Sequence, residues 1–348
     1  MKGKVCREEP IVINPDIFAE EYIPPNIPAR EKQIEELRFC ISPLQDGGKP
    51  VNAWLSGPPG VGKTSTCRYV QRQLESQTSV AVVYINCWEN NTYFAVLDKM
   101  VRHLRILGAE RLHTSFKLER LQKYLAKNRV ILMLDEIDQP ERNERNSLLY
   151  NLSTLPNVGI VAVCNTRYGL LGLDQRIRSR LNPTQIEFAP YSEDDLAFIL
   201  KQRATFALHP ESFSEKTVRL AAELAEGDAR IAIQTLKTAA YLAEKQGEDT
   251  ISEKHIRSGH SSVKDLKKTY LLNKLTEHHR LLFDLLRERG PMMSGDFLKA
   301  YNDKCASLKI QAIAERTFNL YTKRLSEMGL IKAKRALIRG QVREYSVE

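Results

Sequence analysis

The sequence lacks long apolar runs, paired cysteines, internal repeats and low-complexity segments. No stretch of its 348 residues approaches the roughly 18 consecutive apolar residues that a membrane-spanning helix needs, which excludes a membrane bundle. Its six cysteines are scattered without a C-x-x-C pair, so we expect neither a zinc site nor disulfides and interpret them as thiols of a reducing cytosol. The first nine residues carry no apolar segment after their basic residues, so no secretory signal is expected.

Excess charge of one sign is nearly absent from the first three quarters of the chain. Residues 1–261 hold 34 Lys and Arg against 33 Asp and Glu, whereas residues 262–348 hold 18 against 10. Most of the net charge of +9 therefore lies in the last quarter. A basic module beside a neutral body indicates a polyanion partner, most often nucleic acid, although a solvated basic surface fits the composition as well.

Strand and helix signals alternate through the first 190 residues. A proline-rich, extended arm covers residues 1–28. Apolar, β-branched runs then predict four strands with helices between them, at residues 51–56, 80–86, 130–134 and 158–164. This alternation predicts an α/β fold, residues 1–190, whose mostly parallel sheet is covered by helices on both faces.

Two smaller units are predicted to follow. Residues 191–263 carry only helical signals, at residues 192–206, 214–226, 229–245 and 252–258, which predicts a small helical domain. Ser192 and Asp195 fit a capping box at its start. Residues 264–270 are predicted to be a polar connector to a C-terminal unit, residues 271–348. In that unit, three helices followed by a hairpin predict a winged helix, with helices at residues 276–289, 294–301 and 313–328 and strands at residues 330–337 and 342–347.

A phosphate-binding pattern lies between the first predicted strand and the following helix. Residues 57–64 match G-x-x-x-x-G-K-[ST] in full and in the context that the motif requires. Backbone N–H groups and the positive end of the helix would hold the phosphates of ATP or ADP, Lys63 would reach the β- and γ-phosphates, and Thr64 would bind Mg²⁺. The expected nucleotide contacts are Gly57, Pro58, Pro59, Gly60, Val61, Gly62, Lys63, Thr64 and Ser65.

Polar residues at the ends of two predicted strands suggest hydrolysis. The third strand ends in carboxylates, at the sheet edge where α/β proteins bind ligands. Asp135 would hold Mg²⁺ through water, and Glu136 would orient or deprotonate the attacking water. Asn165 would hydrogen-bond that water or the γ-phosphate. A small-molecule kinase that uses the same phosphate loop is the alternative.

Two arginine-containing segments could stabilise a transferring phosphoryl group. One segment holds three arginines at alternating positions, Arg176, Arg178 and Arg180. An arginine that stabilises the phosphoryl group can come from a neighbouring subunit. An ordinary salt-bridged surface segment is the alternative. Arg230 follows Gly227 and Asp228 at the start of a predicted helix. It could reach the γ-phosphate from the helical domain and report whether ATP or ADP is bound.

The third helix of the winged helix would read DNA. In this motif one helix enters the major groove and the wing reaches phosphates or the minor groove. An apolar stripe fixes the face of that helix turned to the core, which leaves Arg316, Asn319 and Lys323 outward, and Arg and Asn can contact base edges. The expected wing contacts are Lys334, Arg335, Arg339 and Arg343. A winged helix that binds protein is the alternative.

These features, in this order, resemble an AAA+ ATPase. The chain is similar to one subgroup of these ATPases in four features: the arm at residues 22–31, the strand end at 135–138, the segment at 227–230 and the winged helix. It is the archaeal initiator family related to the largest subunit of the origin recognition complex and to the Cdc-type helicase loader. The resemblance implies an α/β AAA+ core, a helical lid and a winged helix.

The resemblance further implies a function. It indicates a cytoplasmic, nucleoid-associated initiator that binds double-stranded origin DNA, assembles with other initiator copies and helps recruit or load the replicative helicase, with slow hydrolysis of ATP as a switch. A clamp-loader-like or motor ATPase whose last module docks proteins is the alternative.

Roles for individual residues follow from the same resemblance. Tyr22, Ile23 and Arg30 would line the adenine pocket. Asn165 and Arg230 would be the first and second sensors, and Arg180 the arginine that acts in trans. The two helices predicted within residues 90–127 take the place of an insertion that touches the DNA backbone in this family.

Overall fold

The computed structural model describes residues 10–45, 48, 51–106, 113–166, 168–273, 275–335 and 343–347. The chain divides into two compact units, which meet in sequence between His260 and Ser261. The first unit therefore carries the α/β core together with a helical lid, and the second carries nearly all of the excess positive charge.

A five-stranded parallel sheet forms the centre of the first unit. Its strands are β1 (Ala53–Ser56), β2 (Ala81–Asn86), β3 (Val130–Asp135), β4 (Val158–Cys164) and β5 (Thr184–Glu187), in the spatial order β2-β3-β4-β1-β5. Every residue of β3 and β4 is buried, as expected for central strands covered on both faces. The sequence prediction missed β5, an edge strand in which only Ile186 is buried.

Helices cover both faces of this sheet. They are α1 (Glu31–Gln45), α2 (Lys63–Gln77), α3 (Tyr93–His103), α4 (Thr114–Leu125), α5 (Arg142–Leu152) and α6 (Gln175–Leu181). Two apolar cores result, one on each face of the sheet. Helix α5 was not predicted, because its sequence is polar apart from a narrow stripe that ends in Leu148, Leu149 and Leu152, all buried.

The lid is built from α7 (Glu193–Ala207), α8 (Glu215–Leu224), α9 (Ala229–Lys245) and the first part of α10 (Glu253–Asn273), a helix that continues past His260 into the second unit. The predicted capping box is present, since the Ser192 hydroxyl accepts from the Asp195 N–H at 3.1 Å and the Asp195 carboxylate accepts from the Ser192 N–H at 3.2 Å. Their core is rich in alanine, which permits close helix packing.

The connector predicted at residues 264–270 is helical, because helix α10 runs through it to Asn273. The stretch is charged but holds neither glycine nor proline, and charge alone does not end a helix. At 21 residues α10 is a long helix, yet within the described ranges no helix is both long and apolar enough to cross a membrane.

The second unit is the predicted winged helix. Its elements are α11 (Glu277–Arg289), β6 (Met292–Met293), α12 (Ser294–Leu308), α13 (Glu315–Glu327), β7 (Ile331–Arg335) and β8 (Arg343–Val347), and its strands pair antiparallel in the order β6-β8-β7. Helix α12 extends to Leu308 rather than Tyr301. The core is aromatic, with the rings of Phe297 and Phe318 5.2 Å apart between centroids.

Candidate functional site

The carboxyl ends of three adjacent strands place the predicted nucleotide residues side by side. Strands β3, β4 and β1 are neighbours and run parallel, so Asp135, Asn165 and the phosphate loop meet at one edge of the sheet. A cavity of about 930 Å³ opens there. Its walls come from the arm, the phosphate loop, the strand ends and the lid helices α7 and α9.

Two glycines of the phosphate loop need both their backbone conformation and their missing side chain. Gly60 and Gly62 have φ of +77° and +88°, the left-handed region that other residues rarely adopt. A Cβ on Gly60 would lie 2.0 Å from Asp228 Oδ1, and one on Gly62 would lie 2.4 Å from the Tyr191 hydroxyl oxygen. Helix α2 begins at Lys63, directly after this loop, so its positive end faces the space where phosphates would bind.

The ammonium group of Lys63 is buried inside the loop. Its Nζ donates to the carbonyl oxygens of Gly57 and Pro58, both at 2.7 Å. Burial lowers the pKa of Lys63 to about 8, against the opposing attraction of Asp135 and Asp138. A bound phosphate is a stronger acceptor than a carbonyl and would favour the charged form, so the residue is placed to bind an anion.

Thr64 and Asp135 form the part of the site that fits Mg²⁺. The Thr64 hydroxyl donates to Asp135 Oδ2 at 2.7 Å, and the backbone N–H of Glu136 donates to Asp135 Oδ1 at 2.9 Å. Hydroxyl and carboxylate oxygens suit Mg²⁺, which is usually held by one or two protein groups together with phosphate oxygens and water. Within the described ranges no group of three or more His, Cys, Asp or Glu side chains could hold a metal ion.

Glu136 and Asn165 line the same cavity. Glu136 has φ of +54°, a left-handed conformation that a residue other than glycine adopts at a cost and that is frequent at functional sites. The backbone N–H of Asn165 donates to Asp138 Oδ1 at 3.2 Å, which joins the ends of β3 and β4. Both residues therefore lie at the edge of the sheet where β3 and β4 end and the cavity opens.

The lid helix α9 is attached to the phosphate loop. Asp228 caps this helix by accepting from the N–H groups of Arg230 and Ile231, at 2.9 and 3.2 Å. The N–H of Ala229 donates to the carbonyl oxygen of Gly60 at 3.0 Å. Arg230 lines the cavity, and its positive charge contributes to the lowered pKa of Lys63. The phosphate loop and the start of α9 are therefore in direct contact.

The opposite end of the cavity is more apolar. Tyr22 and Ile23 of the arm line it together with Ile199, Arg203 and Phe206 of α7. The Arg203 guanidinium lies 4.5 Å from the centroid of the Tyr22 ring and donates to the Tyr22 carbonyl at 3.3 Å and to the Ile17 carbonyl. The sequence prediction missed Ile199, Arg203 and Phe206, although steps of four and three residues place them on one face of α7.

Arg30 is not on the cavity wall, contrary to the prediction. Only 5% of it is exposed, and its guanidinium donates to the carbonyl oxygens of Val61 (2.8 Å), Ala29 (2.7 Å) and Ala189 (2.7 Å). It also lies 3.7 Å from the centroid of the Tyr191 ring. Arg30 therefore supports the phosphate loop through the Val61 carbonyl, while its other contacts tie the loop to neighbouring segments.

Three loop residues expected to contact nucleotide also lie off the wall. The cavity is lined by Pro59, Gly60, Gly62, Lys63, Thr64 and Ser65, and not by Gly57, Pro58 or Val61. Val61 is buried in the core beneath the sheet, and the carbonyls of Gly57 and Pro58 are occupied by Lys63.

The three alternating arginines lie on α6, away from the cavity. Arg176 and Arg180 are exposed, whereas Arg178 is half-buried on the other side of the helix, as positions two residues apart must be. The Arg180 guanidinium lies 5.4 Å from the centroid of the Tyr150 ring. Since none of the three reaches the chain's own cavity, their action on a neighbouring subunit stays a prediction.

A cationic face of the winged helix is open to solvent. Phe318 and Leu325 of α13 are buried, and Arg316, Asn319 and Lys323 are exposed on the opposite side of this helix, as the apolar stripe predicts. Lys334 and Arg343 are exposed on β7 and β8. The side chain of Arg335 and the whole of Arg339 lie outside the described residues.

Two known protein families match successive parts of the chain. The family described as "AAA ATPase domain" matches residues 26–163, and that described as "Cdc6 AAA+ ATPase-type lid domain" matches residues 197–261. An ORC1-type DNA replication protein 1 of Halobacterium salinarum is 31% identical over 291 residues, which cover 82% of this chain and 93% of the relative.

Longer alignments reach the winged helix as well. An ORC1-type DNA replication protein of Pyrococcus horikoshii is 28% identical over 358 residues, covering 95% of this chain and 85% of that protein. The solved structure of the Aeropyrum pernix ORC1 protein in complex with DNA is similar with a TM-score of 0.81 and 28% identity, over 98% of this chain and 94% of that one.

Proposed function

This chain belongs to the family of ORC1-type DNA replication proteins, and from that premise we propose that it is an ATP-regulated initiator that binds duplex DNA at replication origins. The observation that carries the proposal is the open face of α13, where Arg316, Asn319 and Lys323 are exposed on the unit that holds the excess positive charge. The DNA complex of the Aeropyrum pernix protein, which is similar over nearly the whole chain, supports it.

The nucleotide site suggests how ATP acts. Lys63 binds the β- and γ-phosphates, Thr64 and Asp135 hold Mg²⁺, and Glu136 orients or deprotonates the attacking water. Mg²⁺ neutralises the developing phosphate charge when it is bound. Asn165 and Arg230 detect the γ-phosphate from the strand end and from the lid, so that slow hydrolysis resets the protein. Glu136 and Asn165, together with a lid that brings Arg230 to the same cavity, favour water over a small molecule as the acceptor.

Assembly and helicase recruitment complete the proposal. Arg180, exposed on α6 and remote from the chain's own cavity, acts on the nucleotide of a neighbouring copy. The initiator bound at an origin, on the nucleoid, then helps recruit or load the replicative helicase. Family membership supports this last step, and co-purification of the helicase on origin DNA, with and without the initiator, tests it.

A binding titration tests the DNA assignment. Duplexes that the full-length chain enriches from the genomic DNA of its own organism are labelled with a fluorophore. The protein's affinity for them is then measured at several salt concentrations. The triple variant Arg316→Ala/Asn319→Ala/Lys323→Ala should bind at least about tenfold more weakly, since each good base contact contributes roughly 1–3 kcal/mol. The plot of log binding constant against log salt concentration should also become less steep, by about 2 in slope, because two cations are lost.

A matched cation in the same unit serves as the control. Arg287 is exposed on α11, where it pairs with Asp284 at 3.1 Å. Arg287→Ala should retain wild-type affinity and salt slope. Equal losses in the control and the triple variant would show nonspecific attraction to charge, and duplex binding unaffected by the triple variant would support a module that docks protein.

A further inference from the structure

Tyr84 contacts the carboxylate that would hold Mg²⁺. It lies on β2, next to β3, and its side chain lines the cavity. The Tyr84 hydroxyl donates to Asp135 Oδ2 at 2.5 Å, the same oxygen that accepts from Thr64 at 2.7 Å. The phosphate-loop helix and the second strand therefore converge on one carboxylate oxygen.

The acceptor positions of Asp135 are almost filled by this arrangement. An ionised carboxylate has two oxygens and about four lone-pair positions. Within the described residues Oδ2 accepts from two hydroxyls, and Oδ1 accepts from the Glu136 N–H at 2.9 Å. One position remains, on Oδ1. The carboxylate can therefore neither rotate freely nor offer Oδ2 to a metal without losing a hydrogen bond.

A side-chain stack holds Tyr84 in place. The Arg68 guanidinium lies 3.3 Å from the centroid of the Tyr84 ring, and its Nη1 donates to Gln71 Oε1 at 3.1 Å. Gln71 in turn donates to Glu75 at 2.8 Å, so the stack is anchored along α2.

We propose that Tyr84 is a positioning residue for Mg²⁺. Its hydroxyl holds the Asp135 carboxylate so that the one acceptor position left on this carboxylate, on Oδ1, accepts a hydrogen bond from a metal-bound water. The inference rests on the proposed nucleotide function and assigns Tyr84 no contact with the reacting atoms. A hydroxyl that only filled space would be replaceable by hydrogen without consequence for the metal.

Magnesium titration of nucleotide binding tests the proposal. Binding of a fluorescent ATP analogue to the full-length chain is measured against free Mg²⁺, and also in EDTA. Tyr84→Phe should raise the Mg²⁺ concentration for half-maximal effect on the order of tenfold, as is usual when a group that orients a metal-binding residue is lost. Its affinity for the analogue in EDTA should equal that of the wild type.

Two further variants sharpen the test. Tyr69→Phe removes a hydroxyl from a half-buried tyrosine of α2 that does not line the cavity, and it should behave as wild type. Arg68→Met, which releases the Tyr84 ring, should shift the Mg²⁺ requirement in the same direction as Tyr84→Phe, but less.

The outcomes separate this inference from the proposed function. An unchanged Mg²⁺ requirement in Tyr84→Phe would overturn it, and so would an equal loss of affinity with and without metal, which would show damage to the cavity. A wild-type chain that bound no nucleotide would instead contradict the proposed ATP switch itself.

Discussion

At the scale of single residues, neighbouring side chains decide what each ionisable group can do. Asp135 is 3% exposed and accepts three hydrogen bonds, whereas Glu136, the next residue, lines the cavity in a left-handed backbone conformation. The first is held in place by its hydrogen bonds, and the second lies on the cavity wall. The two carboxylates should therefore respond differently to substitution.

Substitutions at Lys63 and Glu136 should separate binding from hydrolysis. Lys63→Ala removes the buried cation and should reduce ATP affinity below detection at micromolar protein. Glu136→Gln keeps the side chain's size and should bind ATP as wild type does while hydrolysis falls by about 10²–10⁴-fold, the usual contribution of such a base. Filter binding and phosphate release measure the two effects, and equal losses of binding in both variants would contradict the assigned roles.

Acid should weaken the winged helix through His279. This residue is 2% exposed and stacks on Tyr321, with ring centroids 3.7 Å apart, and its Nε2 has no partner within the described ranges. Burial, and then the positive charge of Arg324, lowers its pKa to about 4. Because the unfolded chain binds this proton near pH 6.5, stability is unaffected above that pH and falls as pH drops toward 4.

Unfolding by urea at several pH values checks this expectation. His279→Phe retains an aromatic ring against Tyr321 and should lessen the loss of stability between pH 7 and pH 5. The matched control is His103→Phe, an exposed histidine of α3, which should keep the wild-type acid dependence. Identical acid dependence in all three proteins would rule out His279 as the cause.

The sequence predicted which residues form the phosphate loop, but not where each side chain points. A motif specifies chemistry at fixed spacing, and Lys63, Thr64 and Asp135, which were predicted in this way, line one cavity. Arg30 was expected on the cavity wall, yet its guanidinium is used to hold carbonyl oxygens. Tyr84 was not found, because its role depends on the pairing of β2 with β3, which no local pattern reveals.

At the scale of helices and strands, regular packing explains both the successes and the errors. Strands β3 and β4 were predicted because each is apolar, apart from Asp135 at the end of β3, as burial on both faces requires. Strand β5 and helix α5 were missed because each buries only a narrow apolar stripe. Residues 264–270 were interpreted as a connector from their charge, although a solvated helix carries charge equally well.

Close packing within the lid can be tested with glycine. A Cβ on Gly259 of α10 would lie 3.0 Å from both the Thr235 carbonyl oxygen and the Ala239 nitrogen. Gly259→Ala should therefore destabilise the lid by about 1–3 kcal/mol through overpacking. The melting temperature of the full-length chain measures the effect.

Gly295 is the matched control, since a Cβ there meets nothing within 4 Å on helix α12. Gly295→Ala should be neutral or stabilising by up to about 1 kcal/mol, because alanine favours a helix more than glycine does. If the two substitutions had the same effect, close contact at Gly259 would not be what holds the lid helices together.

At the scale of the whole molecule, charge and nucleotide chemistry are divided between the units. The first unit is nearly neutral and holds the cavity, while the second carries most of the net charge and the exposed face of α13. Composition alone left a solvated basic surface as an equal alternative. The winged-helix architecture and the family relationship now favour DNA, because the charge lies on the unit that this fold uses to read the double helix.

Genome-wide mapping of the protein on its own chromosome tests the central claim most directly. The account predicts sharp peaks at a few sites that coincide with maxima of DNA copy number in growing cells, and loss of those peaks in the triple variant at Arg316, Asn319 and Lys323. An even distribution along the chromosome, or peaks away from the sites where replication begins, would contradict it.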